Sequence, residues 1–236
     1  MPQFDPIVNS PDPITLVGGG EATLQDLQKA LTLAPVCVAA DGGAGLVLEA
    51  GVEMAAVIGD FDSLSAADLA EIPAERRHRV IEQESTDFEK ALTRLNTPVV
   101  LGVGFLGGRI DHQLAALHVL AAHPDRTCVL IGRDEVICLA PPEITLPTRA
   151  GDVVSLFPLG VVQGRSRGLA WPIDGLAFDP MSKIGTSNHA LGPVTLYADA
   201  PAMILILPRR LMVARANAFM ARAILRDNEI SLSDGV

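Results

Sequence analysis

The sequence predicts an α/β N-terminal domain with a mainly parallel sheet, followed by an all-β C-terminal sandwich or barrel domain. Three observations predict it. Up to residue 140, short β-branched runs alternate with segments of helical periodicity. Several of those runs end directly in glycine or aspartate: Gly18-Gly19-Gly20, Asp41-Gly42-Gly43, Gly59-Asp60 and Gly107-Gly108. From Pro141-Pro142 to Pro208 the helical periodicity stops, and short apolar runs are separated by Gly, Pro, Asp and Asn at close intervals.

In the first part, strands are expected at Ile14–Val17, Val36–Ala39, Ala55–Ile58, Val99–Val103 and Cys128–Ile131. Helices are expected over Thr23–Leu33, Gly45–Ala50, Asp87–Leu95 and His112–Ala122. The carboxyl ends of strands in an open α/β sheet line the ligand crevice, so the Gly- and Asp-bearing loops should converge on one side. In the second part, strands are expected at Val153–Phe157, Val194–Tyr197 and Met203–Leu207. The chain therefore divides into an α/β unit at 1–140, a β unit at 141–208 and a tail at 209–236. The Ala/Arg/Met-rich stretch Arg209–Leu225 reads as an amphipathic helix that packs on this protein or a sister subunit.

Composition narrows the function. Of 236 residues, 49% are apolar, enough for one large core or two modest ones. Eighteen basic against 28 acidic residues give a net charge of −10, which argues against a general binder of nucleic-acid backbone. An anionic substrate needs local basic groups or a metal ion. Cys37, Cys128 and Cys138 lack metal-ligand spacing and read as small buried hydrophobes in a reducing compartment. The N-terminus has neither a basic start nor an apolar stretch of signal-peptide length, and no run approaches the ~18 apolar residues of a membrane span. A soluble cytoplasmic protein is expected.

Three constellations carry chemistry. At Ile58-Gly59-Asp60-Phe61-Asp62-Ser63, an extended backbone would point Asp60 and Asp62 the same way and turn Phe61 into the core. Two adjacent carboxylates suit Mg²⁺, which takes a few carboxylate oxygens together with substrate phosphates. An isolated DxD is also explained by an Asx-turn of solvated acids. In Gln83–Leu92, Thr86 and Glu89 fit a capping box, while Asp87 either serves the helix dipole or reaches a metal held by Asp60 and Asp62. In Gly107-Gly108-Arg109-Ile110-Asp111-His112-Gln113, glycines permit close approach to a ligand, and Arg109 offers a charged fork for phosphate oxygens. Asp111 also fits a cap for a helix from Gln113, and His112 also fits a bond to a neighbour. His78, His118 and His123 have no supporting context.

Gly102–Gly107 matches GxGxxG, yet the glycines and Asp111 beyond it place the helix start too late for a dinucleotide fingerprint. No GxxxxGK[ST] or protein-kinase loop motif occurs. Downstream, GLAWPIDGL (Gly168–Leu176) holds the only tryptophan, Trp171, and GTSN (Gly185–Asn188) offers three short polar side chains. A lone Trp is ordinarily a core residue, though its π-face also suits a flat cationic ring. GTSN by itself reads as a turn.

In order, DGGA (Asp41–Ala44), GDFDS (Gly59–Ser63), TDFEKAL (Thr86–Leu92), GGRIDH (Gly107–His112), GLAWPIDGL and GTSN resemble the motif series of the thiamine pyrophosphokinases, over about Leu16 to Pro208. The resemblance implies an α/β domain that binds ATP and a β domain that binds thiamine across a homodimer interface. It implies Asp60, Asp62 and Asp87 as Mg²⁺ ligands, and as catalytic residues together with Arg109. Asp41, Gly42, Gly43, Thr86, Arg109, Asp111 and His112 would bind the nucleotide, and Trp171, Ser187 and Asn188 thiamine. Two features depart from the series: Glu84 stands where bacterial relatives usually carry aspartate, and the loop Gly18-Gly19-Gly20 is unusual. The implied reaction is attack of the thiamine hydroxyl on the β-phosphorus of ATP, with AMP leaving. Competing readings are a phosphohydrolase or a pyrophosphokinase of another heterocycle, a non-catalytic thiamine or nucleotide sensor, and, furthest off, a nicotinamide dehydrogenase.

Overall fold

Strands that are apolar on every residue need cover on both faces, and crossover helices supply it. In the computed structural model, which describes residues 4–213, the chain runs β1 (Val8–Asn9), β2 (Ile14–Val17), α1 (Leu24–Leu31), β3 (Val36–Ala40), α2 (Ala44–Glu49), β4 (Ala56–Gly59), α3 (Ala66–Glu71), β5 (Arg77–Arg79), α4 (Asp87–Leu92), β6 (Leu95–Asn96), β7 (Val100–Val103) and α5 (Ile110–Ala122). It continues with β8 (Cys128–Ile131), β9 (Glu135–Leu139), β10 (Glu143–Leu146), β11 (Val153–Pro158), β12 (Val162–Leu169), β13 (Ala177–Phe178), β14 (Gly185–Ala198) and β15 (Met203–Pro208).

The expected parallel sheet is present, in the order β5-β4-β3-β2-β7-β8 with every adjacent pair parallel. Alternate residues sort to the two faces. Ile14, Leu16, Val38, Val100 and Leu130 pack with Phe88 and Leu92 of α4 and Val119 and Leu120 of α5. On the other face, Val17, Cys37, Ala39 and Val57 pack with Leu27 of α1 and Val47 of α2. A capping box between Thr23 and Asp26 starts α1. Strand order reverses at β2, which has β3 on one side and β7 on the other. Such a reversal opens a crevice at the carboxyl ends of the strands.

The sheet does not stop at residue 140. β9 runs antiparallel to β8, β15 to β9, β11 to β15 and β14 to β11, so segments before and after Pro141-Pro142 share one 13-stranded mixed sheet. One apolar cluster likewise runs from Ala30 and Leu101 to Leu156 and Phe178. The long strand β14 pairs with β11 through its first half and with β10 and β12 through its second. β12 has no apolar run to announce it: Gln163, Arg165 and Arg167 face out between Gly164, Ser166 and Gly168. GTSN opens β14 and is not a simple turn.

The tail begins with a 3₁₀ turn at Arg209–Leu211, where Arg209 pairs with Asp26 and Arg210 with Asp152. The rest of the expected tail helix lies outside the described residues. Among the described residues no helix is long and apolar enough to cross a membrane. All three cysteines are buried, and burial pushes the Cys37 thiol up to about 12 and the Cys128 thiol up as well.

Leu101 is fully buried at the centre of the sheet on β7, where the neighbouring strands hold the backbone against collapse. Leu101→Ala is expected to cost about 3 kcal/mol of stability, whereas exposed Ile81→Ala should stay within about 0.5 kcal/mol. Urea unfolding of both variants checks the contrast.

Candidate active site

Four loops meet at the carboxyl ends of β2, β3, β4 and β7 and enclose, with the start of α4 and α5, a cleft of about 820 Å³. Glycines line much of it, from Gly18-Gly19-Gly20, Gly42, Gly104 and Gly107-Gly108. Two of the local requirements are steric. A Cβ on Gly43 would lie 2.0 Å from the Val17 carbonyl oxygen, so only glycine lets the loop after β3 pass the end of β2. Gly107 and Gly108 both have positive φ, which glycine adopts without strain, as the chain turns toward α5.

Asp41 organises the floor. It is 1% exposed, and its carboxylate accepts hydrogen bonds from the Phe61 N–H at 2.8 Å and the Ser63 N–H at 3.2 Å. The loop after β4 is therefore curled around Asp41 and is not extended: Phe61 has φ +71° and packs partly into the core. Asp60 adds an Asx-type bond, its Oδ1 accepting from the Asp62 N–H at 3.2 Å. The curl gathers Asp41, Asp60 and Asp62, each offering a carboxylate oxygen within 4.8 Å of the others. The gathered set thus contains Asp41 where Asp87 was expected. Three hard oxygen donors in a glycine-lined cleft fit Mg²⁺ with phosphate oxygens completing its shell.

Asp87 is held by a residue that the sequence reading passed over. The Lys90 ammonium, 3% exposed, lies 3.3 Å from Asp60 Oδ2 and 3.1 Å from Asp87 Oδ1. Burial works against its charge, but the bonds and charges of Asp87 and Asp60 outweigh burial and raise its pKa. Burial also pushes Asp87 up; Lys90 pulls it down without overcoming this, and Asp41 and Asp60 add to the rise. For Asp60 the balance reverses, because bonds from the Asp62 N–H, Lys90 and Gln83 outweigh burial and hold its carboxyl low. The only sequence signal for Lys90 was its spacing, three residues after Asp87 and on the same side of α4.

Thr86 caps α4, accepting from the Glu89 N–H at 3.3 Å. The expected box is half made, because the Glu89 carboxylate instead meets Nε2 of His123, which caps the end of α5, at 2.8 Å. That contact gives His123 the context it lacked. Arg109, and not Asp111, occupies the N-cap position of α5, and the helix starts at Ile110. Asp111 sits in the first turn, paired with the exposed Arg109, whose hydrogen bond chiefly holds its carboxyl down to about 2. Arg109, His112, Thr86 and Asp87 line the cleft with Asp41, Gly42, Asp60 and Asp62, while Gly43 and Asp111 do not line it. Ser63, Gln83, Ser85 and Phe105 also line it, and the glycines at 18–20, set aside in the sequence, form one wall. Glu84 does not line it.

Trp171, Ser187 and Asn188 lie apart from this lining. Trp171 is not a core residue: it is 58% exposed. Asn188 is buried and bonded to the Trp171 backbone, and Ser187, with φ +63°, donates its N–H to Ser155 Oγ at 2.9 Å.

Residues 27–131, the segment that carries Asp41, Asp60, Asp62, Asp87, Lys90 and Arg109, match the family model described as thiamin pyrophosphokinase, catalytic domain. Over that segment the chain is similar to the thiamin pyrophosphokinases. It is 35% identical over 147 residues to thiamine pyrophosphokinase 2 of Oryza sativa subsp. japonica, a match covering 55% of each chain. The match thus spans about half the length of that relative, and of thiamine pyrophosphokinase 1 of Arabidopsis thaliana at 30% identity. The fold is that of solved thiamin pyrophosphokinases. The enzyme from Geobacillus thermodenitrificans aligns at TM-score 0.69 and 24% identity, covering 83% of this chain and 96% of its own. That from Candida albicans aligns at TM-score 0.71 and 14% identity, covering 88% and 94%.

Lys90→Met would leave Asp60 and Asp87 facing each other without their shared cation. A loss on the order of 2–3 kcal/mol at pH 7 is expected, below the figure for a fully buried pair because Asp87 is over a third exposed. The depressed Asp60 carboxyl contributes stability above the unfolded carboxylate pKa and loses it as pH falls through its folded value. The gap between Lys90→Met and the parent should therefore narrow as pH falls through the carboxylate range, which melting curves from pH 7 down to acid will show.

Proposed function

We propose that this chain catalyses Mg-ATP-dependent transfer of a pyrophosphoryl group to the hydroxyl of thiamine, giving thiamine diphosphate and AMP. The observation that carries the reading is the Asp41/Asp60/Asp62 cluster, with Lys90 behind it and Arg109 at the rim, in one glycine-walled cleft at the strand-order reversal. Similarity to the thiamin pyrophosphokinase catalytic domain suggests the substrate class. The plant relatives are named thiamine pyrophosphokinases, which favours thiamine over another heterocycle.

In this reading Asp41, Asp60 and Asp62 hold Mg²⁺, which when bound offsets charge on the phosphate oxygens. The glycine walls let the triphosphate lie against backbone N–H groups, and Thr86 and His112 line its path. The thiamine hydroxyl oxygen forms its bond to the β-phosphorus as the bond from that phosphorus to the bridging oxygen of AMP breaks. Transfers of this kind gain mainly from positioning and charge neutralisation, so no covalent enzyme intermediate is required. Arg109, oriented by Asp111, offsets the charge that develops on the departing AMP. Asp87, its carboxyl raised by burial, is the member of the group suited to take the hydroxyl proton. The resemblance also counts it among the metal ligands, and it stands one Lys90 ammonium away from Asp60.

The division of labour follows the sequence: residues 1–140 bind ATP and 141–208 bind thiamine, with Trp171, Ser187 and Asn188 at the thiamine pocket. Because Trp171 does not line the cleft, the reading has a homodimer in which one copy's β unit completes the site of the other. A cytoplasmic setting suits three buried cysteines.

Purified protein with Mg²⁺ and ATP should release AMP only when thiamine is present, with thiamine diphosphate formed in equal amount. Phosphate release without thiamine would replace this reading with a phosphohydrolase, and thiamine binding without turnover with a sensor. Asp62→Asn is expected to lower kcat by roughly 10²-fold or more while leaving the melting temperature unchanged. Near-parental activity in Mg²⁺ would remove the carboxylate cluster from the mechanism. Trp171→Ala should raise the thiamine KM and leave the ATP KM alone, which initial rates at varied thiamine will test.

A further inference from the structure

Trp171 is the only tryptophan in the chain, and more than half of its side chain meets solvent. Its backbone is nevertheless held at both polar atoms by one side chain. The Trp171 N–H donates to Asn188 Oδ1 at 3.2 Å, and Asn188 Nδ2 donates to the Trp171 carbonyl at 2.7 Å. The same Oδ1 accepts from the His189 N–H at 2.8 Å. Next door, the Ala170 N–H donates to the His189 carbonyl at 2.8 Å. Pro172 follows Trp171 and confines its backbone to extended conformations. The indole rests against the His189 ring, with centroids 5.4 Å apart and planes tilted by 45°.

The strand beneath is itself fixed. Ser187 sits in the left-handed region opposite an irregularity in β11 between Val154 and Leu156, and its N–H is taken by the largely buried Ser155. Asn188 is 6% exposed, so its amide cannot be left unbonded without cost. Three hydrogen bonds satisfy both Oδ1 and Nδ2, and all three go to the backbone of Trp171 and His189. A buried amide committed in this way does not need a ligand to complete it. A large aromatic that projects into solvent from a fixed backbone loses little freedom when something stacks on it.

We propose that Asn188 is a positioning residue: it acts on the substrate through Trp171, by clamping that residue's backbone, and not by direct contact. The inference rests on the reading of Trp171 as a thiamine contact. It changes the role of Asn188 within that reading.

Because Trp171 is the sole tryptophan, intrinsic fluorescence of the full chain reports on this residue alone. Asn188→Asp keeps the volume but sets a carboxylate oxygen against the Trp171 carbonyl where the amide had donated. Asn188→Ser is smaller, uncharged and unable to span both atoms. Acrylamide quenching and anisotropy of Trp171 in the ligand-free protein should change in both variants. The thiamine KM should rise about tenfold, with kcat at saturating thiamine and the ATP KM within about twofold of the parent. Parental quenching and thiamine KM in Asn188→Asp would mean that only volume matters and would overturn the clamp. If Asn188→Asp does not fold, Asn188→Ser with parental quenching overturns it equally. The clamp can also hold while the functional reading fails. In that case quenching changes in the variants, but thiamine leaves Trp171 fluorescence of the parent untouched and Trp171→Ala keeps its thiamine KM.

Discussion

The site depends on one buried carboxylate. Asp41 leaves β3 with φ +40° and is nearly closed off from solvent, so it must find donors. It finds them in the N–H groups of Phe61 and Ser63, two residues of the neighbouring loop. Those bonds curl the loop after β4, and the curl sets Asp60 and Asp62 beside Asp41. Even Gly59 is tied to it, since a Cβ there would come 2.7 Å from the Asp41 Cβ. The sheet fixes β3 and β4 side by side, and Asp41 converts that register into a carboxylate cluster.

A cluster of this kind is unfavourable by itself in a chain of net charge −10. Lys90 answers part of the repulsion from below, with Asp60 and Asp87 on its ammonium. It is presented by α4, whose start is capped by Thr86 and which is tied to α5 by the Glu89–His123 contact. The three acidic positions consequently differ. Asp60 is held low, Asp87 is raised, and Asp41 is committed to backbone donors. A site that must both neutralise phosphates and accept a proton needs carboxylates that are not equivalent, and their unequal environments provide that.

Much of this was legible from the residues. Cys128–Ile131 is apolar at every position and Ile14–Val17 at all but Thr15, so strand and burial could be read together. The loops that end in Gly or Asp converge as a parallel sheet requires. What was hidden was whatever depended on neighbours distant in sequence. The spacing of Asp60 and Asp62 suggested an extended pair, but the donors that bend the loop answer to Asp41, some twenty residues away. Lys90 looks like a solvent-facing lysine until α4 is laid on β3 and β4. β12 alternates arginine with glycine and serine, so no apolar face marks it, and its register comes from β14. For Trp171 the sequence left a core ring and an exposed π-face both open. The side chain that holds its backbone lies 17 residues further on.

The same sheet that carries the cleft carries the tryptophan. From β4 and β7 at the cleft, hydrogen-bonded neighbours lead through β8, β9, β15 and β11 to β14, where Asn188 sits opposite Val154. Arg209 and Arg210 pin the end of β15 to Asp26 in the first turn of α1 and to Asp152 before β11. The cleft and Trp171 are thus fixed on one continuous framework, yet Trp171 does not line the cleft. In the proposed reading, a substrate that touches both is reached from two copies of the chain. In such an arrangement, the rigidity of the sheet decides how accurately the second copy delivers its ring. Pre-organisation at Asn188 therefore matters more than it would for a contact made by a mobile loop of the same chain.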